Sequence, residues 1–213
     1  LDRPFSIHRS FNHGLEILIR KVGWATTILS SLKSADRLTL TGPLGRGLDE
    51  VFSDFSKNKW YLLAGGAGLG PMGSIVAALG AKAQLIYAEK NACRQVNQDF
   101  LFSLTSKSSP ITEDGSGYGK KGSILDYLES FIEREPRPVF ACGPQSMLKA
   151  VWTLSQRLNF NLFVSLEAFM ACGLGVCLSC SLPGSFPYRP TGRFRVCQEG
   201  PVVCASLVDW NFR

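Results

Sequence analysis

Residues 60–80, WYLLAGGAGLGPMGSIVAALG, join two apolar runs through a glycine-rich turn. The glycines and Pro71 interrupt the run before it reaches the roughly 20 apolar residues that a membrane-spanning helix needs. We therefore interpret it as a buried strand, a tight turn and a helix over 72–81. The chain does not open with a basic segment followed by an apolar one, so we expect neither export nor a membrane span.

The alternation of strands and helices continues from this stretch to about residue 158. AQLIYAE (83–89) and PVFACGP (138–144) predict strands, and the periodicity of 124–135, preceded by Ser123 as a cap, predicts a helix. A further helix is predicted over 145–158. Strands that alternate with helices are typical of a doubly wound parallel sheet. We assign residues 57–160 to this α/β domain.

Two glycine-bearing turns follow strands of this domain and predict a nucleotide site. Ligands of open α/β sheets bind outside the carboxyl ends of the strands, where helix N-termini favour a pyrophosphate. The first turn carries only part of the usual glycine fingerprint, and a ligand-free tight turn is the alternative. A small residue at the edge of the core is the alternative for Cys142. The candidate nucleotide-binding residues are Gly66, Gly68, Gly70, Cys142, Gly143 and Pro144.

Glu89 ends the second predicted strand and is a candidate for choosing the nucleotide. A carboxylate there accepts a hydrogen bond from a ribose hydroxyl and repels a 2′-phosphate, which favours NADH over NADPH. An ordinary surface glutamate is the alternative.

The first 56 residues have the pattern of β-structure. PFSIHRS (4–10) and GLEILIRKV (14–22) predict two strands around the turn FNHG, in which we expect His13 to be exposed. DRLTLTGP (36–43) predicts a third strand after a helix-like stretch. Three strands are too few to close a barrel, so we expect either that further strands lie before Leu1 or that this segment is partly open.

Composition and charge limit the classes of function. Hydrophobic residues make up 45% of the chain and charged residues 19%, as in a folded globular protein. The net charge of +6 comes from basic residues scattered singly, without interleaved aromatics, so we expect no nucleic-acid partner. Seven cysteines without an export signal favour a reduced, cytoplasmic chain that uses thiolates as ligands.

Four cysteines form the most specific motif. Cys172, Cys177 and Cys180 follow C-x4-C-x2-C, and sixteen residues separate Cys180 from Cys197. This spacing is that of plant-type ferredoxins, in which four thiolates hold a [2Fe–2S] cluster. A structural zinc ion is the alternative, although four-cysteine zinc sites usually consist of two short C-x2-C knuckles. We interpret residues 161–213 as a small cluster domain.

For several residues near or outside this motif, an ordinary structural role is the alternative to a functional one. Gly173 and Gly175 permit the backbone angles that turn N–H groups towards the sulfurs. Glu167 precedes the motif and is either an orienting group or a solvated side chain. We interpret Cys93 and Cys204 as ordinary buried thiols.

Three sets of residues resemble one family. RPFSI (3–7), LIRKVGWAT (18–26) and GPLGRG (42–47) resemble the flavin-binding part of ferredoxin–NADP reductase-like proteins. GGAGLGP (65–71) and CGP (142–144) resemble their pyridine-nucleotide domain. The ending MACGLGVCLSC…VCQEGPVV resembles the electron-transfer subunit of class 1B dihydroorotate dehydrogenase.

The resemblance implies a fold and a flavin site. It implies an α/β plus β architecture: the C-terminal part of an FAD-binding β-barrel (1–56), an NAD-binding parallel-sheet domain (57–160) and a plant-ferredoxin-like [2Fe–2S] domain (161–213). The family's Gly-Thr pair corresponds to Ala25-Thr26, where this chain departs from the glycine. The residues implied to line FAD are Arg3, Pro4, Phe5, Ser6, Leu18, Ile19, Arg20, Ala25 and Thr26.

The resemblance also implies a function and a partner. Electrons would pass between NAD(H) and the cluster through FAD, since a flavin exchanges two electrons with a nicotinamide and one at a time with iron. The partner would be an FMN-containing catalytic subunit that oxidises dihydroorotate in pyrimidine biosynthesis, in a heterotetramer. No catalytic acid or base is expected on this chain.

Two other functions stay open. A related subunit that serves sulfide dehydrogenase or NADH-dependent ferredoxin:NADP oxidoreductase has a similar layout, but we expect Asp near its first ligand position, so Cys172 favours the dihydroorotate branch. An iron–sulfur sensor or interaction module that lacks flavin is the alternative from another class.

Overall fold

The computed structural model describes residues 3–186 and 191–212. The strands of this part of the chain form one seven-stranded sheet and two small two-stranded sheets. In chain order they are β1 (Ile7–Phe11), β2 (Gly14–Ile17), β3 (Trp60–Gly65), β4 (Ala83–Glu89), β5 (Ser108–Thr112), β6 (Lys120–Lys121), β7 (Val139–Cys142), β8 (Leu162–Ser165), β9 (Ser181–Pro183), β10 (Arg193–Arg195) and β11 (Val202–Cys204).

The large sheet has the order β11-β8-β7-β3-β4-β5-β6. All neighbouring strands in it are parallel except β11, which pairs antiparallel with β8. From β3 the chain adds strands on one side up to β6 and then returns to add β7 and β8 on the other side. This reversal between β3 and β7 is the switch point at which doubly wound sheets bind ligands.

Helices cover both faces of the sheet. They are α1 (Trp24–Ser31), α2 (Leu48–Val51), α3 (Met72–Leu79), α4 (Gln98–Leu104), α5 (Ile124–Arg134) and α6 (Gln145–Leu158). Apolar residues of α3 and α4 pack on one face, and those of α5 and α6 on the other. The strand β3 alternates between the two cores, Tyr61 and Leu63 in one and Leu62 and Ala64 in the other. A strand buried on both sides carries no polar face, which explains the continuous apolar run.

The sequence predicted most of this α/β region. β4 and α6 have the predicted bounds, and Ser123 caps α5 by accepting a hydrogen bond from the Leu125 N–H at 3.1 Å. α4, β5 and β6 were not predicted, because they are short and β5 is SSPIT, with two serines and a proline. The parallel α/β fold is confirmed.

The N-terminal region has fewer strands than predicted. β1 and β2 form the expected hairpin, with His13 exposed in its turn. The predicted strand over 36–43 is wrong: this stretch is irregular, and Leu38 and Leu40 are 50% and 60% exposed. The alternation of Leu and Thr is typical of a strand, but a strand needs a neighbour, and none of the described strands lies beside these residues.

Side chains tie the N-terminal hairpin to the α/β domain. The buried ring of His8 donates from Nδ1 to the Gly70 carbonyl at 2.7 Å and stacks on Phe100 of α4. Ser74 Oγ in α3 donates to the carbonyls of Ile7 and His8, each at 2.9 Å. The hairpin is therefore fixed next to the glycine-rich turn after β3.

The C-terminal region shares the large sheet. β9 and β10 form their own two-stranded sheet, but β8 and β11 are edge strands of the large one. The predicted domain boundary at residue 160 thus falls just before β8. Among the described residues, no helix is long and apolar enough to cross a membrane.

Candidate functional site

The two predicted nucleotide-binding turns lie side by side at the switch point. The first, called here the nucleotide turn, comprises residues 66–70 and begins with a 3-10 turn over Gly66–Leu69. A Cβ on Gly68 would overlap the Cys142 carbonyl and lie 2.8 Å from the Gly143 nitrogen. A Cβ on Gly143 would lie 3.0 Å from the Gly65 Cα. The absence of side chains therefore allows the two turns to touch through their backbones.

This contact brings together Gly66, Gly68, Cys142, Gly143 and Pro144. Gly70 lies further along the turn, where its carbonyl accepts the His8 hydrogen bond. Pro144 precedes α6 and Pro71 precedes α3, so both turns present a helix N-terminus at the same edge of the sheet. Such an edge offers N–H groups and a positive dipole end to a phosphate. That these residues bind a nucleotide remains a prediction.

Glu89 is buried and ion-paired, so the alternative of an ordinary surface glutamate is wrong. It lies 5% exposed at the carboxyl end of β4, and Arg20 Nη2 donates to its carboxylate. The Tyr87 hydroxyl donates to the same carboxylate at 3.2 Å. Arg20 also lies beside Gly66, because a Cβ on Gly66 would be 3.2 Å from Arg20 Nη1. The φ angle of Gly66 is +58°. The pair joins the predicted flavin segment to the nucleotide turn.

Cys142 is buried at the end of β7, in register with Ser165 at the end of β8. Burial raises the pKa of its thiol to about 12, although a hydrogen bond with Ser165 opposes the increase. The neutral thiol therefore persists at physiological pH. Cys142 therefore presents a neutral, polarisable sulfur atom to the nucleotide turn, and not a thiolate.

The predicted flavin residues fall into two groups. Arg3, Pro4 and Ser6 are exposed, and Ser6 lies next to the nucleotide turn, where its Cβ would be 3.6 Å from a Cβ on Gly70. Phe5, Leu18, Ile19, Ala25 and Thr26 are half-buried. The Thr26 hydroxyl accepts hydrogen bonds from the Val22 and Gly23 N–H groups at 3.0 and 3.1 Å, which fixes the start of α1. The N-terminus of α1 suits a phosphate, and its role remains a prediction.

Two of the four predicted ligand cysteines are in direct contact. Cys180 and Cys197 are buried, with their sulfurs 3.3 Å apart. Cys172 and Cys177 lie nearer the surface, where Cys172 is half-buried and Cys177 is exposed. In the described part of the chain, no group of three or more His, Cys, Asp or Glu is arranged to hold a metal ion. A two-iron cluster needs four thiolates, two for each iron, and the four cysteines supply that number.

The loop that carries three of these ligands, called here the cluster loop (172–180), depends on unusual backbone angles. Gly173, Gly175 and Leu178 have φ of +66°, +77° and +63°. These angles turn backbone donors inward, and the Leu174 N–H lies 3.4 Å from Cys172 Sγ. Hydrogen bonds from Ser179 and then from Cys172 lower the pKa of Cys177 to about 6, towards the thiolate that iron binds. Burial and the neighbouring Cys180 raise the pKa of Cys197 to about 11.

The remaining cysteines and Glu167 lie outside this group. The prediction that Cys93 is buried is wrong: it is exposed in the 3-10 turn Ala92–Arg94 after β4, none of whose residues is buried. Cys204 is half-buried, with its sulfur 3.1 Å from Ser206 Oγ. Glu167 is exposed between β8 and the cluster loop, and its orienting role remains a prediction.

Sequence reasoning missed His8 and the pair Arg195–Glu199. Arg195 Nη1 donates to the Gly175 carbonyl of the cluster loop at 2.6 Å, and Arg195 Nη2 donates to Glu199 at 2.7 Å. The signal was present as opposite charges four residues apart with Cys197 between them. No sequence pattern indicated a role for His8, because its contacts form only where the N-terminal hairpin packs on the α/β domain.

Comparisons of the chain with a family model and with known relatives indicate the same family. Residues 167–209, which include all four predicted ligand cysteines, match the family described as the iron–sulfur cluster binding domain of dihydroorotate dehydrogenase B. Over 99% of its length, the chain is 33% identical to the "Dihydroorotate dehydrogenase B (NAD(+)), electron transfer subunit" of Clostridium acetobutylicum, 80% of which is covered. The subunit of the same name from Caldanaerobacter subterraneus is 34% identical over 98% of the chain and 81% of the relative.

Solved structures show the same architecture. The structure of an NADH-dependent reduced ferredoxin–NADP oxidoreductase superposes with a TM-score of 0.82 at 22% identity, over 98% of this chain and 74% of that one. An Amycolatopsis cytochrome P450 reductase gives 0.53 at 19% identity over 72% of this chain and 52% of the other. These likenesses show the fold.

Proposed function

The chain belongs to the family of electron transfer subunits of dihydroorotate dehydrogenase B, and we propose that it carries electrons between a dihydroorotate-oxidising partner and NAD⁺ in pyrimidine biosynthesis. It is one subunit of an oxidoreductase, and the chemistry on dihydroorotate belongs to the partner. The family favours this function over the sulfide- and ferredoxin-linked relatives considered above. It also favours iron and sulfide over zinc at the four cysteines.

The observation that carries the proposal is the short connection between the nucleotide turn and the cluster loop. β7 ends at Cys142 beside the nucleotide turn, and its neighbour β8 ends at Ser165. The chain then reaches the first cluster ligand, Cys172, seven residues later. Adjacent parallel strands therefore lead from one predicted cofactor site directly to the other.

The residues present suit the three cofactors. When bound, FAD exchanges a hydride with NAD(H) and single electrons with a [2Fe–2S] cluster. Cys172, Cys177, Cys180 and Cys197 would hold the cluster, and the sulfurs of Cys180 and Cys197 are already in contact. The Leu174 N–H approaches Cys172, and the Gly175 N–H lowers the pKa of Cys197, as negatively charged thiolates require.

For FAD we assign Arg3 and the N-terminus of α1 to the phosphates, because a guanidinium and free helix N–H groups both bind them. The other flavin contacts are Pro4, Phe5, Ser6, Leu18, Ile19, Arg20, Ala25 and Thr26. The docking of the hairpin by His8 supports this, since it keeps residues 3–6 beside the nucleotide turn.

For NAD(H) we assign Gly66, Gly68, Gly70, Cys142, Gly143 and Pro144. The closeness of the two turns supports this assignment, because a pyrophosphate can meet both helix N-termini at once. Glu89 favours NADH, since its buried negative charge repels a 2′-phosphate.

The partner in this proposal is an FMN-containing catalytic subunit, in a heterotetramer. Leu174, Val176 and Leu178 of the cluster loop are 55%, 79% and 58% exposed around the accessible Cys177, which supports transfer at this surface. All seven cysteines are free thiols, which supports a reducing compartment, the cytoplasm.

The absorption spectrum of the purified chain tests the cofactors. We expect flavin bands with a broader iron–sulfur absorption, and NADH bleaches both. Cluster absorption without flavin favours the sensor module, and a colourless protein that contains zinc overturns the proposal.

Reconstitution with the FMN-containing subunit tests the reaction. We expect NAD⁺-dependent oxidation of dihydroorotate only when both chains are present. Equal activity of the partner alone towards NAD⁺ contradicts the assigned role.

A further inference from the structure

Arg195 and Glu199 stand two residues on either side of the cluster ligand Cys197, and their side chains meet. Arg195 donates to the two Glu199 carboxylate oxygens from Nη2 at 2.7 Å and from Nε at 3.3 Å. The Arg195 backbone N–H donates to the same carboxylate at 2.7 Å. The side chains are 19% and 18% exposed, so solvent screens the pair only partly. A fork-to-carboxylate pair with this geometry fixes both side chains.

The free edge of the guanidinium reaches the cluster loop. Arg195 Nη1 donates to the Gly175 carbonyl at 2.6 Å. The loop is packed closely here, because a Cβ on Gly175 would lie 3.1 Å from Nη1 and 2.9 Å from Gln198 Cδ. Gly175 lies between Cys172 and Cys177, so the ion pair holds the part of the loop that joins two ligands.

Gly175 also contacts the fourth ligand. Its N–H lowers the pKa of the Cys197 thiol, against the larger effect of burial, while its carbonyl accepts the hydrogen bond from Arg195. A single residue thus connects the loop with the distant cysteine, and the ion pair sets its orientation. The Val196 N–H donates to the Cys180 carbonyl at 3.1 Å, which also connects the cluster loop to the segment that carries Cys197.

We propose that Arg195 and Glu199 are positioning residues of the cluster: they fix Gly175, and with it the part of the cluster loop between Cys172 and Cys177, and as an ion pair they add no net charge beside the irons. The inference rests on the proposed function, because it requires a cluster on the four cysteines. Two consequences follow. Loss of the two-point contact between Arg195 and Glu199 loosens the loop, and loss of either charge changes the net charge beside the cluster by one unit, where the effective dielectric constant is below that of water.

The first test measures how firmly the cluster is held. Arg195→Met and Arg195→Lys are compared with the unmodified chain by iron and sulfide content and by the rate at which a chelator removes iron. We expect Arg195→Met to release iron about tenfold faster, the lower range for loss of an outer-shell partner. Arg195→Lys keeps the charge but loses the fork, so it should also release iron faster.

The second test measures charge. We expect the cluster reduction potential, determined by EPR-monitored redox titration, to rise in Glu199→Gln and to fall in Arg195→Met, because the remaining charges have opposite signs. Arg195→Lys should keep a potential close to that of the unmodified chain. The control is Glu129→Gln, which removes the acid of an ion pair with Arg157 on α5 and α6, and it should change neither property.

The outcomes separate the two proposals. Unmodified protein without iron and sulfide refutes the proposed function. Normal cluster content with wild-type release rates and potentials in the variants refutes the positioning role alone. If Arg195→Met fails to fold, Arg195→Lys decides: release of iron at the wild-type rate overturns the inference, and faster release at an unchanged potential supports it.

Discussion

The nucleotide turn and the cluster loop both depend on closely spaced glycines, but for different physical reasons. Gly68 of the nucleotide turn is needed for space, because a Cβ would enter the Cys142 backbone. Gly175 of the cluster loop is needed also for its angle, since its φ is +77°. The nucleotide turn lies between adjacent strands of the sheet. The cluster loop, in contrast, is held by the side chains of Arg195 and Gln198 and by the bonds of its cysteines to the cluster.

The two sites therefore depend on different contacts for their ordered structure. The nucleotide turn is a product of the sheet, and we expect it to persist without its ligand. The cluster loop has no ladder of backbone hydrogen bonds, and its exposed apolar side chains contribute little packing. We therefore expect it to depend on iron and on the Arg195–Glu199 pair.

The largest effect is expected from Cys197→Ser. Removal of a buried ligand should abolish the cluster, so iron and sulfide content fall to near zero while NADH binding, measured by fluorescence titration, stays within about twofold. The control is Cys204→Ser, a half-buried thiol outside the quartet, which keeps its cluster. Normal iron and sulfide in Cys197→Ser would overturn both the ligand assignment and the contrast between the two loops.

The next largest effect is expected from Gly68→Ala. The new methyl group must displace the backbone of Cys142, so the free energy of unfolding should fall by about 1–3 kcal/mol, and NADH should bind at least about tenfold more weakly. Urea denaturation and NADH titration measure these effects. Gly14→Ala is the matched control, since nothing lies within 4 Å of its Cβ. Unchanged NADH affinity in Gly68→Ala would show that the two turns do not form the nucleotide site.

A smaller effect is expected from Gly175→Ala. Its left-handed angle costs about 1 kcal/mol for alanine, and the methyl group also meets Gln198 and Arg195. Gly192→Ala is the matched control, because Gly192 has φ +65° but open space around its Cβ. We expect chelators to remove iron faster from Gly175→Ala only. Equal rates in the two variants would show that the contacts of Gly175 with Arg195 and Gln198 do not stabilise the cluster loop.

The smallest effect is expected from Glu89→Gln. The amide loses the ion pair with the partly exposed Arg20, at a cost of about 1 kcal/mol, and no longer repels a 2′-phosphate. The ratio of NADPH to NADH turnover in dye reduction should rise by less than about tenfold. The exposed Glu135→Gln, which also loses ion pairs, should leave the ratio unchanged. A ratio that stays constant in Glu89→Gln would show that Glu89 only holds Arg20.

The sequence predicted elements whose signals are local. The residues of β4 and α6 could be predicted to the residue, because apolar runs and helical periodicity lie within each element. The stretch 36–43 has an equally clear alternation, yet it forms no strand, because pairing depends on a neighbour far away in the chain.

The candidate site follows the same rule. The spacing of the four cysteines predicted a shared site, of which the structure shows the contact between Cys180 and Cys197, and the order of strands brought the two glycine-bearing turns together as expected. The Arg20–Glu89 pair links residues 69 positions apart, and the docking of His8 on Gly70 links residues 62 apart. Such contacts leave no periodic mark in the chain, so the structure was needed to find them.

The pairing of β8 with β11 makes the iron–sulfur region difficult to transplant. Both strands belong to the large sheet, and the ligand-bearing segment departs from one and returns through the other. A chain cut at residue 160 would leave the backbone of β7 unpaired along one side, a hydrophobic edge that invites aggregation. A hybrid enzyme that borrows this region should therefore exchange the strands together with the loop.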